Sequence, residues 1–208
     1  MTKMDLALWC YTTLMALMPQ GQSPSYKDSY SAKVRGRVPV CVEVGLEAQR
    51  QGLDPIYAIA IGSYESRFKD SAKSSKGAVG VMQMTPVALK TWCSAYSIKT
   101  GEPSRLTSQF ATGQELKGCN HIEASIRFLK WLTEREQDLC DAFAKYNAGG
   151  KGSCRGRGRK YGKDVTRLIV ESDSEIRRQY ALLNLIQTHY DPDMEIEENC
   201  DDSVQGHP

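Results

Sequence analysis

The order of apolar and polar positions along the chain changes character several times, and each change marks an element. Residues 6–18, LALWCYTTLMALM, form a 13-residue run with almost no polar side. After Lys3, such a run reads either as the apolar centre of a secretory signal peptide or as an N-terminal apolar helix, with residues 1–22 as the unit concerned. Asp5 spoils the positive start of a leader, and MALMPQGQS lacks a clean small-x-small cleavage site. The run is too short for a membrane-spanning helix, which needs about 18–20 apolar residues. Residues 19–37 are polar and carry Pro, Gly and Ser, so 23–38 reads as a linker. Val40, Cys41, Val44 and Ala48 then share one helical face, in an element predicted to follow Pro39 and end at Gly52.

Asp54-Pro55 is a cap and first-turn pair. The stretch behind it, IYAIAIGSYES, is apolar on nearly every side and predicts a buried central helix. Residues 66–80 are small and polar, an irregular loop. A further helix is expected over Pro86–Tyr96, and 97–118 is rich in turn residues. Ile122, Ile126, Leu129 and Thr133 make a helical stripe from His121 to about Glu134. Leu139, Ala142, Phe143 and Tyr146 fall at i, i+3, i+4 and i+7, and Asn147-Ala148-Gly149-Gly150 stops that helix. Two more helices are expected at about 161–171 and 175–189, with Ser172-x-x-Glu175 as a capping box between them. The whole is mainly α-helical, and residues 39–190 suffice for one domain.

Composition narrows the partners. The 208 residues carry a net charge of +2, but 191–208 hold seven acidic residues and no Lys or Arg, which leaves +9 on residues 1–190. A basic body suits an anionic polymer. The acidic tail, 191–208, reads as disordered. The segment 151–163, KGSCRGRGRKYGK, has six basic residues and four glycines but one aromatic, Tyr161. Without stacking platforms a nucleic-acid partner is not expected, and a loop facing anionic cell wall or solvent is. Seven cysteines occur without any CxxC, and the three histidines are scattered. Zinc and thioredoxin-like spacings are therefore missing, and no metal or cofactor is expected. Six cysteines remain if residues 1–22 are removed, an even number that suits disulfides in an oxidising compartment.

Three segments carry candidate chemistry. Glu65 stands at the C-terminal end of the predicted buried helix. Burial and the negative helix end both disfavour its charged form, as a general acid requires. Gly77-Ala78-Val79-Gly80-Val81-Met82-Gln83-Met84 pairs glycines, which let the backbone approach a ligand, with an amide that has two donors and an acceptor for sugar groups. Tyr146-Asn147 leaves an aromatic ring and an amide at the lip of a helix end, where a sugar can stack.

Glu65-Ser66-Arg67-Phe68, GAVGVMQMTP and AKYNAGG, in that order, resemble the catalytic domain of family 1 lytic transglycosylases, over about residues 40–165. The resemblance implies a lysozyme-like single helical domain with a short irregular or β-like segment after the catalytic helix. It implies Glu65 as the single acid/base and Ser74 as the serine that hydrogen-bonds its carboxyl. It implies Gln83, Met84, Tyr146 and Asn147 as substrate-binding groups, and Tyr161 as a tyrosine that reaches the site. The implied reaction is cleavage of the β-1,4 bond between N-acetylmuramic acid and N-acetylglucosamine, with closure of a 1,6-anhydro ring. A hydrolytic muramidase on the same fold, and an idle wall-binding component, are the other readings. The implied partner is the peptidoglycan strand, met by a monomer in the periplasm or outside the cell. Members of the family it resembles serve secretion and conjugation systems or phage entry, so the resemblance leaves the wider setting open among these. A second carboxylate is not evident, because Asp70 is the one acidic residue between Glu65 and Glu102 and sits in a polar loop.

Overall fold

A computed structural model describes residues 1–100 and 120–189, with side chains omitted for 95–97 and 183–189. The chain divides into two units, Met1–Ile176 and the residues from Arg177 on, of which 177–189 are described. Eight helices form among the described residues, with isolated β-bridges and no sheet. The mainly α class is as expected.

Helix α1 (Lys3–Ala16) opens with a reciprocal capping box between Thr2 and Asp5. Its Leu6, Cys10 and Leu14 are fully buried. Helix α2 (Pro24–Arg50) starts at the Ser23 cap and runs through Pro39. The expected linker over 23–38 is therefore helical from Pro24 on. Its few apolar residues are well placed: Tyr30 and Val34 continue the stripe of Cys41, Val44 and Ala48 and are buried with it. The Tyr30 hydroxyl donates to the Leu14 carbonyl at 3.0 Å, and Tyr11 and Ser31 hydroxyls are bonded at 3.0 Å. A Cys10–Cys41 disulfide ties α1 to α2, with Cα atoms 5.8 Å apart. Tertiary packing here outweighs the missing Pro39 N–H.

Helix α3 (Pro55–Ser66) is the buried centre, capped by Asp54, whose carboxylate accepts from the Ile56 N–H at 3.0 Å. The helix expected over Pro86–Tyr96 is broken: α4 (Pro86–Trp92) ends at Cys93 and α5 (Ala95–Thr100) follows. Cys93 is disulfide-bonded. Helix α6 (His121–Arg135) buries Ile126, Leu129 and Leu132, with Leu132 rather than Thr133 closing the stripe. Helix α7 (Leu139–Ala148) starts at the Asp138 cap and stops at Gly149, φ 76°. A further disulfide, Cys140–Cys154, holds the glycine-basic loop to the start of α7.

Helix α8 (Arg159–His189) replaces the two helices expected at its position. Val165, Leu168, Ser172 and Ile176 are buried at helical spacing, so the stripe runs straight through the proposed capping box. Ser172 is then an interior residue, and its hydroxyl has no hydrogen-bond partner. The acidic tail 191–208, and most of the turn-rich stretch 97–118, lie outside the described residues.

Candidate active site

Glu65 sits in the last turn of α3, where a sharp reversal follows. Arg67 and Phe68 both adopt left-handed backbone, φ 53° and 57°. The reversal is anchored by the Phe68 ring, 2% exposed, which lies against the helix where Gly62 leaves room. A Cβ on Gly62 would stand 2.5 Å from Phe68 Cε1. The helix therefore ends with Glu65 at a lip and not inside the core. Burial is the main influence on its carboxyl and pushes the pKa up to about 7. The Tyr161 hydroxyl donates to Glu65 Oε1 at 2.8 Å and pulls in the other direction. Burial and the neighbouring Glu65 charge raise the phenol pKa of Tyr161 itself, so it stays a donor at neutral pH.

The loop after α3 folds back on itself through short antiparallel bridges, Lys73 with Val79 and Val79 with Met84. Ser66 Oγ donates to the Val81 carbonyl at 2.7 Å and closes it. This is the β-like segment expected after the catalytic helix. Ser74 lines the cleft beside Glu65, but its Oγ accepts from the Ala78 and Lys76 N–H groups at 3.0 and 3.2 Å. It makes no hydrogen bond to Glu65, and Tyr161 holds that place. Gln83 also lines the cleft, in left-handed backbone with φ 50°. Its amide nitrogen donates to the Ala72 and Gly80 carbonyls at 3.1 and 2.8 Å. The two amide protons therefore fasten the loop, which leaves the side-chain oxygen as its free polar atom.

Helices α6 and α7 supply the facing wall of a cleft of about 230 Å3. The Tyr146 hydroxyl donates to the Met82 carbonyl at 2.9 Å, tying α7 to the loop. Phe128 stacks on the Tyr146 ring, centroids 5.3 Å apart and planes 25° apart. Asn147 is exposed at the lip, and Met84, 3% exposed, forms floor and core at once. Six of the seven residues singled out in the sequence, all but Tyr161, line this one cleft. Tyr161 is buried behind Glu65. Phe128, Lys76, Thr85 and Ala88 line it as well and were not anticipated. For Phe128 the signal was an aromatic beside, and not on, the main apolar stripe of α6.

Behind the site, the Tyr64 ring meets Tyr161 edge to face at 5.1 Å, and the Tyr64 hydroxyl donates to Asp164 Oδ2 at 2.8 Å. Asp164 in turn accepts from Lys160 and Arg167, whose cations hold its carboxyl below the usual range. Glu65 is the one carboxylate lining the cleft among the described residues. Asp70 is exposed and lines a separate cavity with His121. Among the described residues, no three His, Cys, Asp or Glu side chains gather as a metal set.

A helical, lysozyme-like domain with one buried carboxyl in a sugar-sized cleft defines a class of wall-cleaving proteins. The family model of the transglycosylase SLT domain matches residues 44–169, more than half of the chain, and the protein belongs to that family. The family is made of peptidoglycan lytic transglycosylases, and membership supports a peptidoglycan-degrading function of that general type. No characterised protein and no solved structure matches the chain. No helix among the described residues is long and apolar enough to cross a membrane.

Proposed function

We propose that the protein cleaves the MurNAc-β-1,4-GlcNAc bond of peptidoglycan without water and releases a 1,6-anhydroMurNAc end. The reading is carried by Glu65, a carboxyl with a pKa near 7 that has the cleft to itself among the described residues. Protonated Glu65 donates to the glycosidic oxygen as the bond breaks. The substrate's own N-acetyl carbonyl traps the oxocarbenium-like centre as an oxazolinium. Glu65, now a carboxylate, accepts the proton of the muramoyl 6-hydroxyl, whose oxygen closes the ring and expels the N-acetyl oxygen. A group whose pKa lies near ambient pH can perform both transfers. Tyr161 supports the second, since its hydrogen bond favours the carboxylate form.

A hydrolase needs an activated water, usually held by a second carboxylate. The cleft offers Ser74, Gln83, Tyr146 and Asn147, none of them a base near neutral pH. The tethered 6-hydroxyl has the advantage of an intramolecular nucleophile. Phe128 and Tyr146 supply a stacking wall, Asn147 and the Gln83 oxygen supply polar contacts, and Ser74 keeps its own proton for a sugar or for Glu65. The disulfides suit an oxidising compartment, periplasmic or extracellular. Mass spectrometry of fragments released from purified peptidoglycan tests the reading. Anhydro ends, lighter by one water and inert to borohydride, are expected. Mainly borohydride-reducible ends would identify a hydrolase and overturn it.

A further inference from the structure

A second cavity, of about 210 Å3, opens where α1, α2 and the turn after α3 come together. Its floor is apolar: Leu14, Tyr30 and Val34 are all buried. Its rim is cationic. Lys33 and Arg37 stand one turn apart on α2, and Arg67 arrives from the left-handed residue that ends α3. The Arg67 guanidinium lies 5.9 Å over the centre of the Tyr30 ring, and Arg37 Nη1 donates to the Arg67 carbonyl at 3.1 Å. No carboxylate is among the residues that line it. Three like charges around one hollow repel each other, and an anion bound between them reverses the sign of that interaction.

We propose that this cavity is a second binding site, one that takes the carboxylate of a peptide carried by the wall polymer. The proposal rests on the wall-degrading reading of the cleft. Guanidinium forks match a carboxylate or a phosphate equally well, so the rest of the cavity has to discriminate. Leu14, Val34 and the Tyr30 ring offer contact to an alkyl group attached to the anion, which a peptide end has and an inorganic phosphate lacks. The location agrees. Arg67 is two residues past Glu65, so their Cα atoms are at most about 7 Å apart. A peptide hanging from a sugar held at Glu65 has the length to reach it. Apart from Arg67, the cavity is built from residues that precede the family match at 44–169.

The test is calorimetric titration of the full chain, at low ionic strength, with diacetyl-Lys-D-Ala-D-Ala and with its C-terminal amide. The free acid should bind, and the amide should bind about tenfold more weakly or worse, as loss of charge-assisted hydrogen bonds requires. Arg37→Gln should weaken the acid by a similar factor. Lys33→Gln, at a side chain without a hydrogen bond or ion pair among the described residues, should weaken it severalfold and serves where Arg37→Gln disturbs the turn. Equal binding of acid and amide, or no binding of either, overturns the proposal. So does inorganic phosphate binding more tightly than the peptide, which would make the cavity a phosphate site. The two readings fail separately. Wall cleavage without peptide binding removes the pocket alone, whereas acid-selective binding by a chain that releases no anhydro ends removes the cleft reading alone.

Discussion

Tyr161 and Glu65 are 96 residues apart in sequence, yet the Tyr161 hydroxyl donates to Glu65 Oε1 at 2.8 Å. That bond stabilises the carboxylate, while burial stabilises the acid. The carboxyl is thereby balanced near the pH at which it must both give and take a proton. Tyr161→Phe removes the hydrogen bond that lowers the pKa, so the Glu65 pKa should rise. If the protonated form initiates cleavage, the limb of the pH–rate profile that falls with rising pH should move upward. A turbidity assay on cell walls across pH 5–9 measures it, and an unmoved or lowered limb contradicts the coupling.

Glu65→Gln should abolish wall cleavage, since an amide neither donates nor accepts the required proton. General acid–base help is worth about 10²–10⁴-fold, and one group performs both steps here. More than about a tenth of wild-type turbidity loss would contradict that magnitude.

The same variant has a pH-dependent effect on stability. Glu65 has its folded pKa raised from 4.5 to about 7. Below about pH 4.5 it is protonated in both states and contributes no difference. As pH rises from there to 7, the unfolded chain releases the proton and the folded chain retains it, so stability falls. Above 7 the charged carboxylate is buried and the loss is complete, about 3 kcal/mol for a shift of this size. Glu65→Gln escapes the penalty. Its melting temperature minus that of the wild type should grow between pH 4.5 and 7 and level off above, as thermal denaturation at each pH would read.

Gly62→Ala should destabilise and slow the enzyme together. The new methyl would stand 2.5 and 2.8 Å from Phe68 Cε1 and Cζ, and that ring is buried and cannot swing out. Overpacking of this kind costs about 1–3 kcal/mol. Because Phe68 anchors the reversal that sets Glu65 at the lip, kcat should fall as well. Denaturant melts with kinetics on the same preparation check both effects.

Two of the disulfides, Cys10–Cys41 and Cys140–Cys154, close loops of different length, their cysteines 31 and 14 residues apart. Replacing Cys10 and Cys41 together by Ala should cost about 2–5 kcal/mol, and more than the same change at Cys140 and Cys154 by about 0.7 kcal/mol on the loop-entropy account. Urea titrations of the two double variants make the comparison. An equal or inverted order would show that strain or packing, and not loop length, sets their worth.

Where a signal was local, the sequence alone decided the element. Asp54-Pro55 caps α3 at its own position, since a cap is a bond between a side chain and a backbone two or three residues on. The stripe of α7 and its stop at Gly149 were legible for the same reason, and so was Glu65 at the end of an all-apolar helix. Tertiary structure decided the rest. Residues 24–38 carry too few apolar positions to announce a helix, and they form one because α1 covers Tyr30 and Val34 and Cys41 is tied to Cys10. Ser172 had the local form of a cap, but a continuous buried stripe carried α8 past it. Ser74 and Gln83 were placed in the cleft by motif, yet their hydrogen bonds go to the loop's own backbone, which no spacing reveals. Tyr161 was expected to reach the site from the resemblance, but that it, and not Ser74, bonds the Glu65 carboxyl is set by what folds against that carboxyl and not by its neighbours in sequence.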